Sequence, residues 1–180
     1  SISGGQGKTA YVASVGYFDQ KGLLKVADED FKRYNASLKI NTEATSWLDL
    51  NMKMALNRTE SDKPTPASHG GLSSGWISGD LRPIMPVFHP DGHYSGQGSF
   101  TNIVALAKLN GRTKETANDL WLTGGFVLKP LKNMRIVGDY TWNSYGLNNE
   151  QHYKEYQEYG ANGTLLGTFP WSKPSSVKES

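Results

Sequence analysis

Arg33-Tyr34-Asn35-Ala36-Ser37-Leu38-Lys39-Ile40-Asn41, then Leu48-Asp49-Leu50-Asn51-Met52-Lys53-Met54-Ala55-Leu56-Asn57, alternates polar and apolar residues in two successive runs. On a strand, successive side chains point to opposite faces. Tyr34, Ala36, Leu38 and Ile40 therefore share one face, and Leu48, Leu50, Met52, Met54 and Leu56 share one on the next strand. The intervening residues are charged or amide-bearing. The runs exceed an ordinary strand of about 5–6 residues and match the roughly 9–11 residues of a tilted membrane-crossing strand. With Thr42-Glu43-Ala44-Thr45-Ser46 as the connecting turn, the pattern predicts a hairpin of a barrel wall, lipid outside and water inside.

Working outward, Lys8 to Phe18 alternates more weakly. Tyr11, Ala13, Val15 and Tyr17 form its apolar face, against mostly small residues on the other. Asp119 to Leu128 carries Leu120, Leu122, Phe126 and Leu128 in phase. Met134 to Tyr145 sets Met134, Ile136, Tyr140 and Trp142 against Arg135, Asp139, Thr141 and Asn143. Short connections fall at Gln6-Gly7, residues 42–46 and Pro130 to Asn133. Longer ones fall at 22–30, 58–116 and 146–180. Short turns at one end and long loops at the other are the habit of outer-membrane barrels. The expected fold is all-β: antiparallel up-and-down strands of a large transmembrane β-barrel, present in part, with long extracellular loops containing short helices. Ser1 to Gly4 is read as the end of one strand, with five more running up, down, up, down, up. Asn102 to Leu109 has good helix formers and is expected to be a short helix. A helical turn is expected around Glu150 to Tyr159. Tyr17, Tyr34 and Tyr145 fall near strand ends and Trp47 beside a turn, positions suited to an interfacial aromatic belt.

The bulk numbers exclude more than they identify. A formal net charge of +2 with scattered basic residues gives no nucleic-acid footprint. Zero Cys removes disulfides, thiolate metal sites and a thiol nucleophile. A mean hydropathy of −0.55 says little, because half of every barrel strand faces water. No leader is expected at Ser1-Ile2-Ser3, and both ends read as cut from a longer chain.

Several motifs tempt. Gly4-Gly5-Gln6-Gly7-Lys8-Thr9 ends like a phosphate loop, but the pattern's first glycine is replaced by Ile2 and a strand follows where a helix is required. His89-Pro90-Asp91-Gly92-His93 offers two imidazoles and a carboxylate, yet Pro-Asp-Gly is a strong turn signal. It is read as a turn with exposed histidines, not a metal site. Sequons at Asn35, Asn57 and Asn162 are read as chance. Asp28/Asp30 and Glu155/Glu158 are read as solvated loop charge. No catalytic constellation emerges, so the chain is read as non-enzymatic, without cofactor or metal. Loop residues Trp76, Phe88, His89, Asp91, His93, Tyr94 and Phe100 are the candidates for contacting a substrate or a partner. Tyr153, Tyr156 and Trp171 are further loop aromatics, and the loop aromatics are read equally as stacking on sugar rings or a partner and as pins that hold the loops to one another. Arg33, Lys39, Asn41, Asn51, Lys53, Arg135 and Asp139 are expected to face a lumen.

Ser1-Ile2-Ser3-Gly4-Gly5 followed by Tyr11 to Gly22 resembles an early barrel hairpin of SusC/RagA-type TonB-dependent transporters. Phe31 to Leu38, Trp47-Leu48, Pro86 to Gly92 and Asn102 to Leu106 continue the resemblance, which fades after Gly146. It implies residues 1–180 as part of a barrel domain of about 22 strands, without plug or TonB-contacting segment. Residues 58–116 and 146–180 would be its long extracellular loops. The whole would import glycans or peptides across the bacterial outer membrane with a SusD-like surface lipoprotein, energised through TonB. A soluble secreted all-β carbohydrate-binding module is the alternative from another class.

Overall fold

The computed structural model describes residues 1–22, 26–65, 86–96 and 102–169. Among the described residues the chain is mostly antiparallel β-sheet with one short helix. Six strands, β1 (Ile2–Gln6), β2 (Thr9–Lys21), β3 (Asp30–Thr45), β4 (Leu48–Pro64), β5 (Arg112–Leu131) and β6 (Met134–Gln151), form one sheet in sequence order. A helix, α1 (Ile103–Leu109), precedes β5, and β7 (Tyr156–Tyr159) and β8 (Leu165–Phe169) make a separate antiparallel pair. The chain divides into two compact units. One comprises residues 1–20, 32–60 and 116–148, and the other 21–31, 61–115 and 149–180.

In the first unit the contacts sort residues into two faces. Ile2 lies opposite Ala13 and Gln6 opposite Thr9. Ser14 and Ser37 hydroxyls meet at 2.7 Å, and the Arg33 guanidinium stands 5.5 Å from the Phe18 ring centroid. Lys129 pairs with Asp49 at 2.6 Å, Thr123 meets Thr141 at 2.9 Å, and the Asn143 amide donates to Asp119 at 2.7 Å. These residues make a polar face. On the other face the Tyr17 and Tyr34 rings stand 5.2 Å apart. Beside them Val15, Ala36 and Leu56 line a shallow cavity of about 380 Å³. Glycine opens room for neighbours on both faces. A Cβ on Gly138 would come 2.6 Å from the Phe126 ring, and one on Gly125 the same distance from the Asn51 amide oxygen.

The apolar face is not a core. None of Leu48, Leu50, Met52, Met54 and Leu56 is buried. Val15 is 85 % exposed and Tyr140 74 %. Among the described residues the buried apolar side chains sit mostly elsewhere: Ala105, Leu106 and Tyr156 cluster in the second unit, with Tyr94 and Leu109 against them.

Local chemistry sets the helix. The Asn102 side chain accepts from the Val104 and Ala105 N–H groups at 3.1 and 3.2 Å, and Asn110 closes the last turn. Gly111 follows at φ +110°, a left-handed exit that favours glycine. It lies so close to the His152 carbonyl that any Cβ would collide with it. The backbone bonds Thr65 N–H to Gly111 O and His152 N–H to Arg112 O, at 3.1 and 2.9 Å, need that approach.

Several sequence expectations are corrected. The strands run further than the alternation indicated, because backbone pairing continues after sidedness is lost. Thus 58–64 and 112–116 are strand, not loop, and β6 continues to Gln151. The second turn is Ser46-Trp47, with 42–45 still paired, and the third is Lys132-Asn133. The helical turn expected around Glu150 to Tyr159 is absent: β6 occupies its start and β7 its end. Tyr145 keeps the parity of Thr141 and Asn143, so it belongs to the polar face and not to the tyrosine pair at Tyr17 and Tyr34.

Gly111→Ala should cost more than about 2 kcal/mol, combining left-handed strain with the clash at His152. Gly124→Ala, where added volume meets nothing within 4 Å, should change stability by less than about 1 kcal/mol. Chemical denaturation of the two variants side by side checks both.

Candidate functional site

Two surfaces hold the candidate residues: the polar face of the first unit, and a turn with its supports in the second. On the polar face Arg33, Lys39, Asn41, Lys53, Arg135 and Asp139 are exposed and Asn51 is half-buried. Strand parity and the contacts given above bring all seven to one side of the sheet. Two aromatics that the sequence reading passed over join them there. Phe18 lies under Arg33, and Trp121 donates its indole N–H to Asp119 at 2.9 Å while remaining 45 % exposed. Asp119 thus fixes the indole and, through its other oxygen, the Asn143 amide. Odd numbering within β5, the phase opposite to Leu120 and Leu122, was the signal that placed Trp121 on this side.

The turn around residues 88–94 is built as Pro-Asp-Gly chemistry requires. Gly92 takes φ +86° and donates to the His89 carbonyl at 2.9 Å. The Asp91 carboxylate accepts the His93 N–H at 3.0 Å, and its other oxygen stands 3.2 Å from His93 Nδ1. The His93 N–H, then its ring, holds the Asp91 carboxyl below the usual carboxylate range. Phe88 and Tyr94 pair across the turn with rings 4.7 Å apart. Trp76 and Phe100 lie outside the described residues, as does Trp171.

One expectation about this turn is corrected. His93 is exposed, but His89 is half-buried and its Nε2 lies 2.9 Å from the Tyr159 carbonyl. A carbonyl only accepts, so that nitrogen carries the proton. The His93 ring packs on Tyr159 at 4.5 Å between centroids. Both imidazoles are therefore engaged. Among the described residues no group of three or more His, Asp or Glu side chains is arranged to hold a metal ion.

What anchors the turn is a polar residue. The Asn102 amide donates to the Val87 and Ser95 carbonyls at 2.8 and 2.9 Å while its oxygen caps α1. Ser95 Oγ donates to the Pro86 carbonyl at 2.6 Å. The Asn102 N–H in turn donates to Glu158 at 2.9 Å, and Glu158 is 1 % exposed. Reading Glu158 as solvated loop charge is thereby overturned. Tyr156 and Glu158 alternate with Gln157 and Tyr159 on β7, and the first two are buried. Burial pushes the Glu158 carboxyl up to about 7, only partly opposed by the Asn102 N–H, and lifts the Tyr156 hydroxyl as well. The Asn set just before an apolar helix run was the sequence signal for Asn102, whereas Tyr-Gln-Glu-Tyr carries no pattern that marks Glu158 as buried.

No family model and no curated protein matches this chain.

Asn102→Ala removes a helix cap and two carbonyl partners together. It should destabilise the second unit by roughly 2–3 kcal/mol. Limited proteolysis should then cut within 86–96 several-fold faster than in the parent chain, with the β3–β4 hairpin unaffected.

Proposed function

We propose that this chain forms part of the wall and surface loops of an outer-membrane β-barrel transporter of the SusC/RagA type. It would work with a SusD-like lipoprotein and TonB to import glycans or peptides. The function is gated passage, and no chemical step is assigned to any residue.

The observation that carries this reading is the exposed apolar band. Leu48 to Leu56, Leu120 to Leu128 and Met134 to Trp142 each give nine residues with one oily side. Nine residues is about one tilted crossing of a bilayer's hydrocarbon. At the end of the β4 band, Arg58 and Glu60 take over the same parity and pair with each other at 2.8 Å. Tyr17 and Tyr34 lie at the corresponding level of β2 and β3, where an aromatic ring meets both lipid and water. The inner strands β2 to β5 each pair on both sides, so their backbone groups are satisfied without water as lipid requires, and β1 and β6 would pair with further strands of the same barrel. Exposed apolar side chains repeated along one face of a sheet mark a surface meant for lipid or for another protein.

The sequence resemblance supplies the particular family, and the alternation of short turns with long connections agrees with it. The polar face, with Arg33, Lys39, Lys53, Arg135 and Asp139, would then border the aqueous interior. The turn holding Phe88, His89, Asp91, His93 and Tyr94 is the part suited to meet a substrate or the lipoprotein.

Leu50→Arg or Met52→Arg should each reduce folding into phospholipid vesicles by the equivalent of about 2–4 kcal/mol, whereas Asn51→Arg should be nearly neutral. Vesicle-dependent folding followed by tryptophan fluorescence and a protease-protection gel checks this. Equal sensitivity of the two faces, or a dispersed monomer that folds cooperatively in plain buffer, would favour the soluble binding module instead.

A further inference from the structure

We infer that Glu158 is a pH-sensitive latch that holds the 86–96 turn against β7 and releases it as pH rises. The inference concerns the second unit alone and stands whether or not the first unit spans a membrane.

Three observations place the carboxyl at the hinge of this docking. Its side chain is almost wholly buried, and its hydrogen bond among the described residues comes from the Asn102 N–H. Asn102 is the residue whose amide grips the Val87 and Ser95 carbonyls, so one residue links the carboxyl to both ends of the turn. Gly96 packs directly on it: an added Cβ there would stand 2.9 Å from Glu158 Cβ and 3.0 Å from its Oε2. Beside the carboxyl, Gly96 N–H donates to the Tyr159 carbonyl at 2.9 Å and Tyr159 N–H to the Tyr94 carbonyl at 3.1 Å. Undocking the turn breaks these bonds and brings water to the carboxyl.

The surroundings decide the sign. On its own strand Glu158 neighbours Tyr156 and Tyr159. The turn contributes His89, Asp91, His93 and Tyr94. From α1 comes Lys108, which is exposed, and β8 has no titratable side chain between Leu165 and Phe169. Asp91 and His93 bond to each other, and His89 to the Tyr159 carbonyl. Among the described residues an ionised Glu158 is met by the Asn102 N–H, and its burial strips away water, a costly state for a carboxylate. The neutral acid is accommodated.

Burial lifts its titration from an ordinary carboxylate value of 4.5 to about 7 in the docked state. The docked state thus binds a proton that the undocked state has already released. Docking is strongest below about pH 4.5 and weakens through the interval up to about 7, where the loss levels off. The opening equilibrium should rise on the order of 10²-fold across that interval.

Hydrogen exchange of the full chain between pH 4.5 and 8, corrected for intrinsic exchange, tests this through peptides covering 86–96 and 156–160. The expected result is an opening constant that climbs with pH and reaches a plateau near pH 7, while peptides from β3 and β4 stay flat. E158Q should remove the climb and leave the turn more tightly docked than the parent at pH 8. The H89Q/H93Q double variant, which keeps the carboxyl, should retain the climb, and supports the latch even if E158Q folds poorly. A flat profile in the parent, an unchanged climb in E158Q, or loss of the climb in the histidine variant would overturn the proposal.

Discussion

Everything in the first unit follows from the two-residue period of an extended chain combined with the demand that backbone N–H and C=O groups be paired. Pairing with sequence neighbours satisfies the backbone of β2 to β5 on both sides without reference to side chains. The side chains are then free to be sorted, and they are sorted consistently from β2 to β6. Glycine appears where one side chain must cover another's backbone, as Phe126 does at Gly138 and Asn51 at Gly125. The outcome is a sheet with one polar face laced by Ser14–Ser37, Asp49–Lys129 and Asp119–Asn143 contacts. Its other face is apolar and uncovered. Individual ion pairs of this exposed kind contribute little, typically under about 1 kcal/mol. The two-sidedness itself is what the proposed membrane role rests on.

The second unit solves a different problem. Among the described residues its buried apolar cluster is Ala105, Leu106 and Tyr156, and a set of buried hydrogen bonds fixes the chain path beside it. Thr65 Oγ1 donates to the His152 carbonyl at 2.9 Å, the Asn110 amide to the Thr65 carbonyl at 3.0 Å, and Thr113 Oγ1 to Thr65 Oγ1 at 3.1 Å. Around Glu158 the same device recurs through Asn102. A buried polar group left without a partner costs about 1–3 kcal/mol. Networks of this kind therefore specify one arrangement of the loops more sharply than a few apolar contacts would. They also make the unit dependent on protonation, because a carboxyl in such a place has no water to fall back on.

The candidate residues thus divide by how they are held. Those on the polar sheet face are positioned by strand parity and remain open to solvent. Phe88, His89, His93 and Tyr94 are positioned by contacts with each other and with β7, hence by residues far away in sequence. The interest of Trp121 is that it has both supports: parity puts it on the polar face, and Asp119 orients its ring.

Alternation from Arg33 to Asn57 determined by itself the strands, their faces and the antiparallel hairpin, because period two is a local property that every residue reports. The Pro-Asp-Gly turn and the helix after Asn102 were equally local and equally legible. Strand ends were not. Residues 58–64, 112–116 and 146–151 lack sidedness, and only pairing with a neighbouring strand keeps them extended. Nor could the sequence say that Glu158 is buried while Glu155 is exposed. Both lie in a polar run, and the difference arises when the 86–96 turn and α1 close over β7. Burial of a charge is decided by segments that meet in space, and only the tertiary structure brings those segments together.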